Sequence, residues 1–213
     1  MTFFSKVSAF FNNQANTKEK DTHVNTPITS NRNSSEALKF IVNNQAAIGS
    51  GRHKIAQSVI KKYSSSNNPE DQLAVGIAYE WEGAKYRQEA INYYEMFLAS
   101  GIKTKLIGDW FLYSSLSKLY EKEYLFDKAI DALYKCIEVN KGSNSADYTR
   151  IGGIYIKMNI DKASLYYEDL KKTKSYLRHK REIDLAIVEL EDKIKRGYVY
   201  RSKPRIKNTA MDS

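Results

Sequence analysis

The 213-residue sequence has very little cysteine, proline or histidine, and each shortage narrows the choice of fold and activity. Its single cysteine, Cys136, cannot form an intrachain disulfide, which favours a reducing compartment. Three prolines and ten glycines leave room for long helices. No apolar run approaches the ~18 residues of a membrane span, and the opening MTFFSKVSAFFNN lacks the pattern of a secretory signal. We therefore expect a cytoplasmic protein, peripheral at most to a membrane or a larger assembly.

Residues suited to catalysis or metal binding are also scarce. The three histidines, His23, His53 and His179, have no cysteine or carboxylate near them at the spacing of a metal site. Cys136 falls on an apolar helical stripe, where a small core residue is expected rather than a nucleophile. No glycine-rich phosphate-binding loop is present. The sequence therefore predicts a protein that is not an enzyme, with no catalytic residue, no metal and no cofactor.

The positive charge is concentrated at the ends of the chain. Residues 1–34 carry four basic and two acidic residues, hence +2, and residues 171–213 carry thirteen and six, hence +7. These two values account for the whole net charge of +9, so residues 35–170 are neutral. An electrostatic partner would be attracted mainly to the C-terminal end.

A repeated pattern of small and large residues runs through the neutral body. Four segments align without gaps, at 55–63, 89–97, 128–136 and 162–170. Their shared small residues are Ala56, Ala90, Ala129 and Ala163, with spacings of 34, 39 and 34 residues. Large residues follow four and seven positions later in most of the segments. Offsets of zero, four and seven lie on one face of a helix.

A second helical pattern precedes each of these segments. Its large anchor residues are Trp81, Tyr120 and Tyr155, and the residues three positions earlier are smaller: Ala78, Ser117 and Gly152. The first repeat carries the pattern only weakly, with Phe40 and Ala47 in the matching places. A small residue on one helix lets its neighbour approach, and an aromatic ring fills the remaining gap.

Paired helices, a period near 34 residues and these packing positions resemble the tetratricopeptide repeat (TPR) family over residues 36–173. The resemblance implies an all-α fold, an α-solenoid of about four helix-turn-helix repeats. It also implies a protein-interaction scaffold or adaptor, with a chaperone-like role among the options. The sequence departs from the family in its weak first repeat, a longer turn near Gly83, and about five extra residues before repeat three.

The chain divides into four parts on this interpretation. Residues 1–34 form an amphipathic N-terminal segment and a flexible linker, and residues 35–175 form the repeats. Residues 176–197 form a capping helix, and residues 198–213 form a basic tail. The cap is predicted from an apolar stripe at Ile183, Ile187, Leu190 and Ile194, because a solenoid needs a terminal helix to cover its last repeat.

In the TPR family the first helix of each repeat lines the binding groove. The resemblance therefore implies that a partner segment contacts the matching positions of this chain. These positions are Tyr79 and Glu82 in repeat two, Ser114, Lys118 and Glu121 in repeat three, and Thr149, Arg150 and Lys157 in repeat four. The predicted partner is another protein, with some acidic character because the row includes Lys118, Arg150 and Lys157.

The first residues carry a separate apolar stripe at Phe3, Phe4, Val7, Phe10 and Phe11. The following residues, 12–34, are rich in Asn, Thr and Ser and poor in large apolar residues, which predicts a linker. Three interpretations stay open for the stripe. It folds back onto the repeats, docks as a helix into a partner protein, or contacts a membrane surface weakly.

Nucleic-acid binding is the alternative function. The stretch 193–207 alternates basic residues with Tyr198 and Tyr200. Basic side chains can neutralise phosphates while tyrosine rings stack on RNA or single-stranded DNA bases.

Overall fold

Residues 34–200 are described by a computed structural model, and every regular element among them is helical. The α-helices are α1 (Glu36–Asn43), α2 (Gly49–Tyr63), α3 (Pro69–Glu82), α4 (Arg87–Ala99), α5 (Asp109–Lys122), α6 (Phe126–Val139), α7 (Ser145–Met158), α8 (Ile160–Lys171), α9 (Lys174–Arg178) and α10 (Lys180–Lys195). A short 3-10 helix, Ala84–Tyr86, joins α3 to α4. No strand occurs within residues 34–200. The predicted all-α repeat class is confirmed, with α1 to α8 as four helix pairs.

The chain forms two compact units. The first contains the described residues up to Asp147, and the second begins at Tyr148. Helix α7 starts in the first unit and continues through the boundary. Each unit has its own buried residues.

The predicted small residues lie at close contacts between helices. Ala56, Ala90 and Ala129 in the first unit are completely buried, as is Ala163 in the second. A Cβ added at Gly76 of α3 would stand 2.9 Å from the Cβ of a tyrosine on α4, which shows how closely these helices approach. Side chains in such contacts are packed at crystal-like density, so only small residues fit at these positions.

Polar side chains fix where several helices begin. Asn68 caps α3 by accepting a hydrogen bond from the backbone N–H of Glu70, at 2.9 Å, and Pro69 occupies the first helical position. Asn159 and Thr173 cap α8 and α9 through the same kind of contact. These residues satisfy backbone N–H groups that the first turn of a helix leaves without a partner.

The first repeat lacks an aromatic anchor and contacts the second repeat through an arginine. Ala47 lies in the turn after α1, and Phe40 is 45% exposed, so neither takes the anchor position. Instead, the guanidinium of Arg52 lies 5.0 Å from the ring centroid of Trp81 on α3. It also donates hydrogen bonds to the carbonyls of Ala47 and Gln45, at 2.8 and 3.1 Å. Arg52 thus joins the first turn to the second repeat through a cation–π contact.

The predicted capping segment consists of two helices. The helix is interrupted at His179, between α9 and α10. Helix α10 therefore begins four residues later than the predicted boundary of the capping segment. Ile183, Ile187 and Leu190 are buried as the stripe predicts. Ile194 is 47% exposed, because it lies in the last turn before the helix ends.

Candidate functional site

Tyr79 packs within its own repeat while keeping part of its ring exposed. Its ring centroid is 5.5 Å from that of Tyr86 and 5.7 Å from that of Tyr93. Burial is the main cause that raises the pKa of Tyr79 above its ordinary value. Tyr79 thus forms a three-tyrosine cluster with Tyr86 and Tyr93.

Glu82 makes two contacts with the preceding repeat. Its carboxylate lies 2.8 Å from Nδ1 of His53 and accepts a hydrogen bond from the amide of Gln57 at 2.7 Å. Only 5% of the Glu82 side chain is exposed, whereas His53 is 62% exposed. Glu82 thus joins α3 to α2, in addition to any contact with a partner.

The three predicted groove residues of α5 differ in exposure. Lys118 is exposed and Glu121 is half-buried. Ser114 is buried, at 7% exposure, and its carbonyl accepts a hydrogen bond from the hydroxyl of Ser117 at 2.8 Å. Of the three, Lys118 is the most accessible to a partner.

The predicted residues of the second unit all lie on α7. Thr149, Arg150 and Lys157 are half-buried. The Nζ atom of Lys157 lies 5.9 Å from the ring centroid of Tyr200. Tyr198 likewise faces a lysine, with Nζ of Lys193 at 5.8 Å from its ring centroid. Both tyrosines of the predicted nucleic-acid stretch therefore have cations of the same unit over their rings.

Two groups of predicted residues lie outside the described part of the chain. They are the apolar stripe, Phe3, Phe4, Val7, Phe10 and Phe11, and the basic tail beyond Tyr200.

The first unit contains an open cleft that the sequence analysis did not identify. Its volume is about 570 Å³, and it lies between α4, α5 and α6. Its aromatic and apolar lining consists of Leu98, Tyr113, Leu116, Tyr120, Ala132 and Tyr134. Charged residues also line it: Glu95, Lys128, Asp131, Lys135 and Glu138. Leu116, Tyr120 and Ala132 are buried, so only small parts of these side chains reach the cleft.

A hydrogen-bonded cluster forms part of the lining of this cleft, which we call the α4–α6 cleft. The hydroxyl of Tyr120 donates to the carboxylate of Glu95. Lys128 lies 3.4 Å from the same carboxylate, and its Nζ is 5.3 Å from the Tyr120 ring centroid. Burial, followed by the contact with Glu95, raises the pKa of the Tyr120 hydroxyl well above its ordinary value. The Tyr120 phenol thus lies beside a carboxylate and a lysine in the lining of the cleft.

Tyr120 is an anchor residue of the repeat pattern and is buried as that pattern predicts, at 6% exposure. Tyr113 lies seven residues before it, on the same side of α5 as Leu116. The spacing of 39 residues between repeats two and three was the one signal of something unusual here. Its extra residues lie in the segment that joins α4 to α5, two of the helices that border the cleft.

None of the helices within residues 34–200 could span a membrane. The same range contains no group of three or more histidine, cysteine or acidic side chains placed to hold a metal ion.

No protein-family model and no curated protein matches the chain. Two solved structures are similar to it. A crystal structure of MamA has 22% identity and a TM-score of 0.41, over 70% of this chain and 91% of that one. A crystal structure of MamA protein has 23% identity and a TM-score of 0.44, over 79% of this chain and 99% of that one. Identities and scores at this level carry no inference about function.

Proposed function

We propose that this chain is a protein-interaction scaffold of the TPR type. It holds a segment of another protein against the exposed side of its repeat helices. The proposal is supported by the four helix pairs and by the close contacts at the alanine positions that the repeat pattern predicts. In such repeats stacked helices bury a core against their neighbours, and the exposed positions of the first helices stay available for a ligand.

The observation that carries the proposal is the position of Lys118. It is exposed on α5, while its neighbours Ser117 and Leu119 are buried in the core. Tyr79 occupies the matching position of the preceding repeat, 39 residues earlier, and is partly exposed. A lysine and a tyrosine edge in matching positions suit a segment that combines an acidic side chain with apolar ones.

Arg150 and Lys157 are the matching basic candidates on α7 in the second unit. We treat them as a separate surface, to be tested by their own substitutions. Nucleic-acid binding, the alternative from the sequence, gains no support from the described residues.

Charge reversal on α5 provides the test. Full-length protein, Lys118→Glu and Lys61→Glu would each be immobilised and used to capture proteins from the native host. Lys61 is an exposed lysine on a second helix, so its reversal changes the net charge equally without altering the proposed surface. We expect a captured protein that is lost with Lys118→Glu and kept with Lys61→Glu. Equal capture by all three proteins would refute the assignment of this surface.

A further inference from the structure

The outer side of α10 carries apolar residues that its capping role does not require. Ile183, Ile187 and Leu190 are buried on the inner side, and α10 packs against α8. Leu185 and Val188 lie on the opposite side of the helix and are 64% and 61% exposed. A helix that ends a solenoid normally has a polar outer face, which keeps the end of the molecule soluble. Two large apolar residues one turn apart on that face indicate that it makes a contact of its own.

Leu185 and Val188 are the middle of a stripe with opposite charges at its two ends. At 100° per residue, Arg181, Leu185, Val188 and Asp192 lie within about 60° of one another, opposite the buried side of α10. All four residues are exposed. Arg181 comes four residues before Leu185, and Asp192 comes four residues after Val188, so the spacing is symmetric about the centre. We call these four residues the α10 outer stripe.

The α10 outer stripe is complementary to a second copy of itself that runs in the opposite direction. If Leu185 of one copy lies opposite Val188 of the other, Arg181 lies opposite Asp192, because both pairs share one midpoint. Twofold symmetry repeats each pair, so four apolar side chains pack together between two ion pairs. A parallel arrangement would instead place like charges together at both ends of the stripe, which is unfavourable.

The two charged residues of the stripe are able to form these ion pairs. Arg181 has no ion pair within residues 34–200. One carboxylate oxygen of Asp192 lies 3.0 Å from Nε of Arg196, at the end of the same helix, and 48% of the Asp192 side chain is exposed. Because a carboxylate has two oxygens with several acceptor sites, Asp192 can also accept hydrogen bonds from an incoming guanidinium.

Two acidic residues beside the stripe are already neutralised. Asp184 and Glu189 each contact a lysine of α10 four residues away, Lys180 and Lys193 respectively. These ion pairs leave little net charge beside the apolar residues, so the repulsion between two copies of the helix at this level is small.

We propose that the α10 outer stripe is the contact surface for a second copy of this chain, with the two α10 helices paired in antiparallel orientation. The contact is small, since one helix stripe buries much less than the roughly 1,600 Å² of a standard interface, so the dimer is weak and reversible. It lies in the second unit, whereas the surface around Lys118 lies in the first. The two surfaces are therefore tested by different substitutions.

Sedimentation equilibrium of the full-length protein, from about 5 µM to about 1 mM, measures the self-association over the range expected for a weak contact. We expect the mean mass to rise reversibly from that of the monomer towards that of the dimer. Leu185→Ser combined with Val188→Ser should weaken the association at least tenfold. The control Ile48→Ser, which removes an 81% exposed apolar residue of the first unit, should leave it unchanged.

These substitutions replace exposed side chains, so circular dichroism should show every variant folded. A native protein that stays monomeric over the whole range would overturn the proposal, as would a dimer that persists in the Leu185→Ser, Val188→Ser variant. A monomeric native protein that binds a different host protein, and loses it in that double variant, would assign the stripe to that protein instead of a second copy.

Charge exchange tests the direction of the pairing. Arg181→Asp and Asp192→Arg should each dimerise about tenfold more weakly than the native protein, because the changed pair occurs twice and becomes repulsive. An equimolar mixture of the two variants should recover about the native affinity, since each supplies the charge that the other lacks. Unchanged affinity of the single variants would overturn the pairing of Arg181 with Asp192. A mixture that associates more tightly than the native protein would indicate parallel helices and overturn the antiparallel arrangement.

Discussion

The contact between Gly152 and Tyr167 provides the most quantitative test of the packing. A Cβ added at Gly152 of α7 would stand 2.1 Å from the hydroxyl oxygen of Tyr167 on α8 and 2.3 Å from its Cζ, against an ordinary contact of 3.4–4 Å. The Tyr167 ring is buried, at 2% exposure. The next residue, Gly153, would place a Cβ with nothing within 4 Å.

Alanine substitution at these two glycines separates packing from helix propensity. Both lie inside α7, so each substitution gains about 1 kcal/mol of helix propensity. Gly152→Ala also forces the ring to retreat by more than an ångström, and such overpacking costs roughly 1–3 kcal/mol. We therefore expect Gly153→Ala to raise the free energy of unfolding and Gly152→Ala to fall about 1–3 kcal/mol below it.

Urea unfolding followed by circular dichroism would measure both variants. In a Tyr167→Leu background the ring is absent, so the difference between the two alanine variants should shrink to near zero in a double-mutant cycle. If Gly152→Ala is as stable as Gly153→Ala in the native background, the register of α7 against α8 is wrong.

Three further predictions follow from buried groups. Burial, assisted by a nearby glutamate, raises the pKa of Tyr167 to about 12, above the ordinary value of 10.0, so the unfolded chain loses this proton first as the pH rises. Its stabilising contribution is full below pH 10 and is lost between pH 10 and 12, by on the order of 2 kcal/mol; Tyr167→Phe should flatten this part of a plot of stability against pH, and an unchanged slope would contradict the assignment. Glu82→Ala should cost about 1–2 kcal/mol in urea unfolding, because it removes a buried carboxylate with two hydrogen bonds. His53→Ala, at the exposed end of the same pair, should stay within about 0.5 kcal/mol, and equal losses would argue against this account. Ala90→Leu should destabilise by roughly 1–3 kcal/mol in thermal melts, since the site is completely buried, and no loss would place the alanine register in error.

The helix pairs were predictable because their packing positions recur in the sequence. Ala90, Ala129 and Ala163 mark the buried face of second helices at a spacing close to the repeat period, and helical periodicity is among the strongest signals in a sequence. Asn68 and Pro69 likewise predict where α3 begins, because they form a typical helix start signal.

The exceptions arise where one residue takes over another's role. Arg52 links the loop at Ala47 to Trp81 of the next repeat, and no periodic pattern encodes such a pairing. The α4–α6 cleft was missed for a related reason. Its lining includes Tyr120, which is buried as the pattern predicts, but the space left beside such a residue depends on the distance between neighbouring repeats, which side-chain spacing alone does not determine.

The central claim, that the exposed side of the repeat helices binds another protein, is tested most directly by the affinity for a captured partner. Calorimetric titration of that partner would compare the full-length protein with Lys118→Glu and Lys61→Glu at low and moderate salt. We predict at least a tenfold weaker affinity for Lys118→Glu, equivalent to about 1.4 kcal/mol, with a smaller difference at higher salt because screening weakens charge contacts. The Lys61→Glu control should bind as the native protein does. Unchanged affinity of folded Lys118→Glu at low salt would contradict the account.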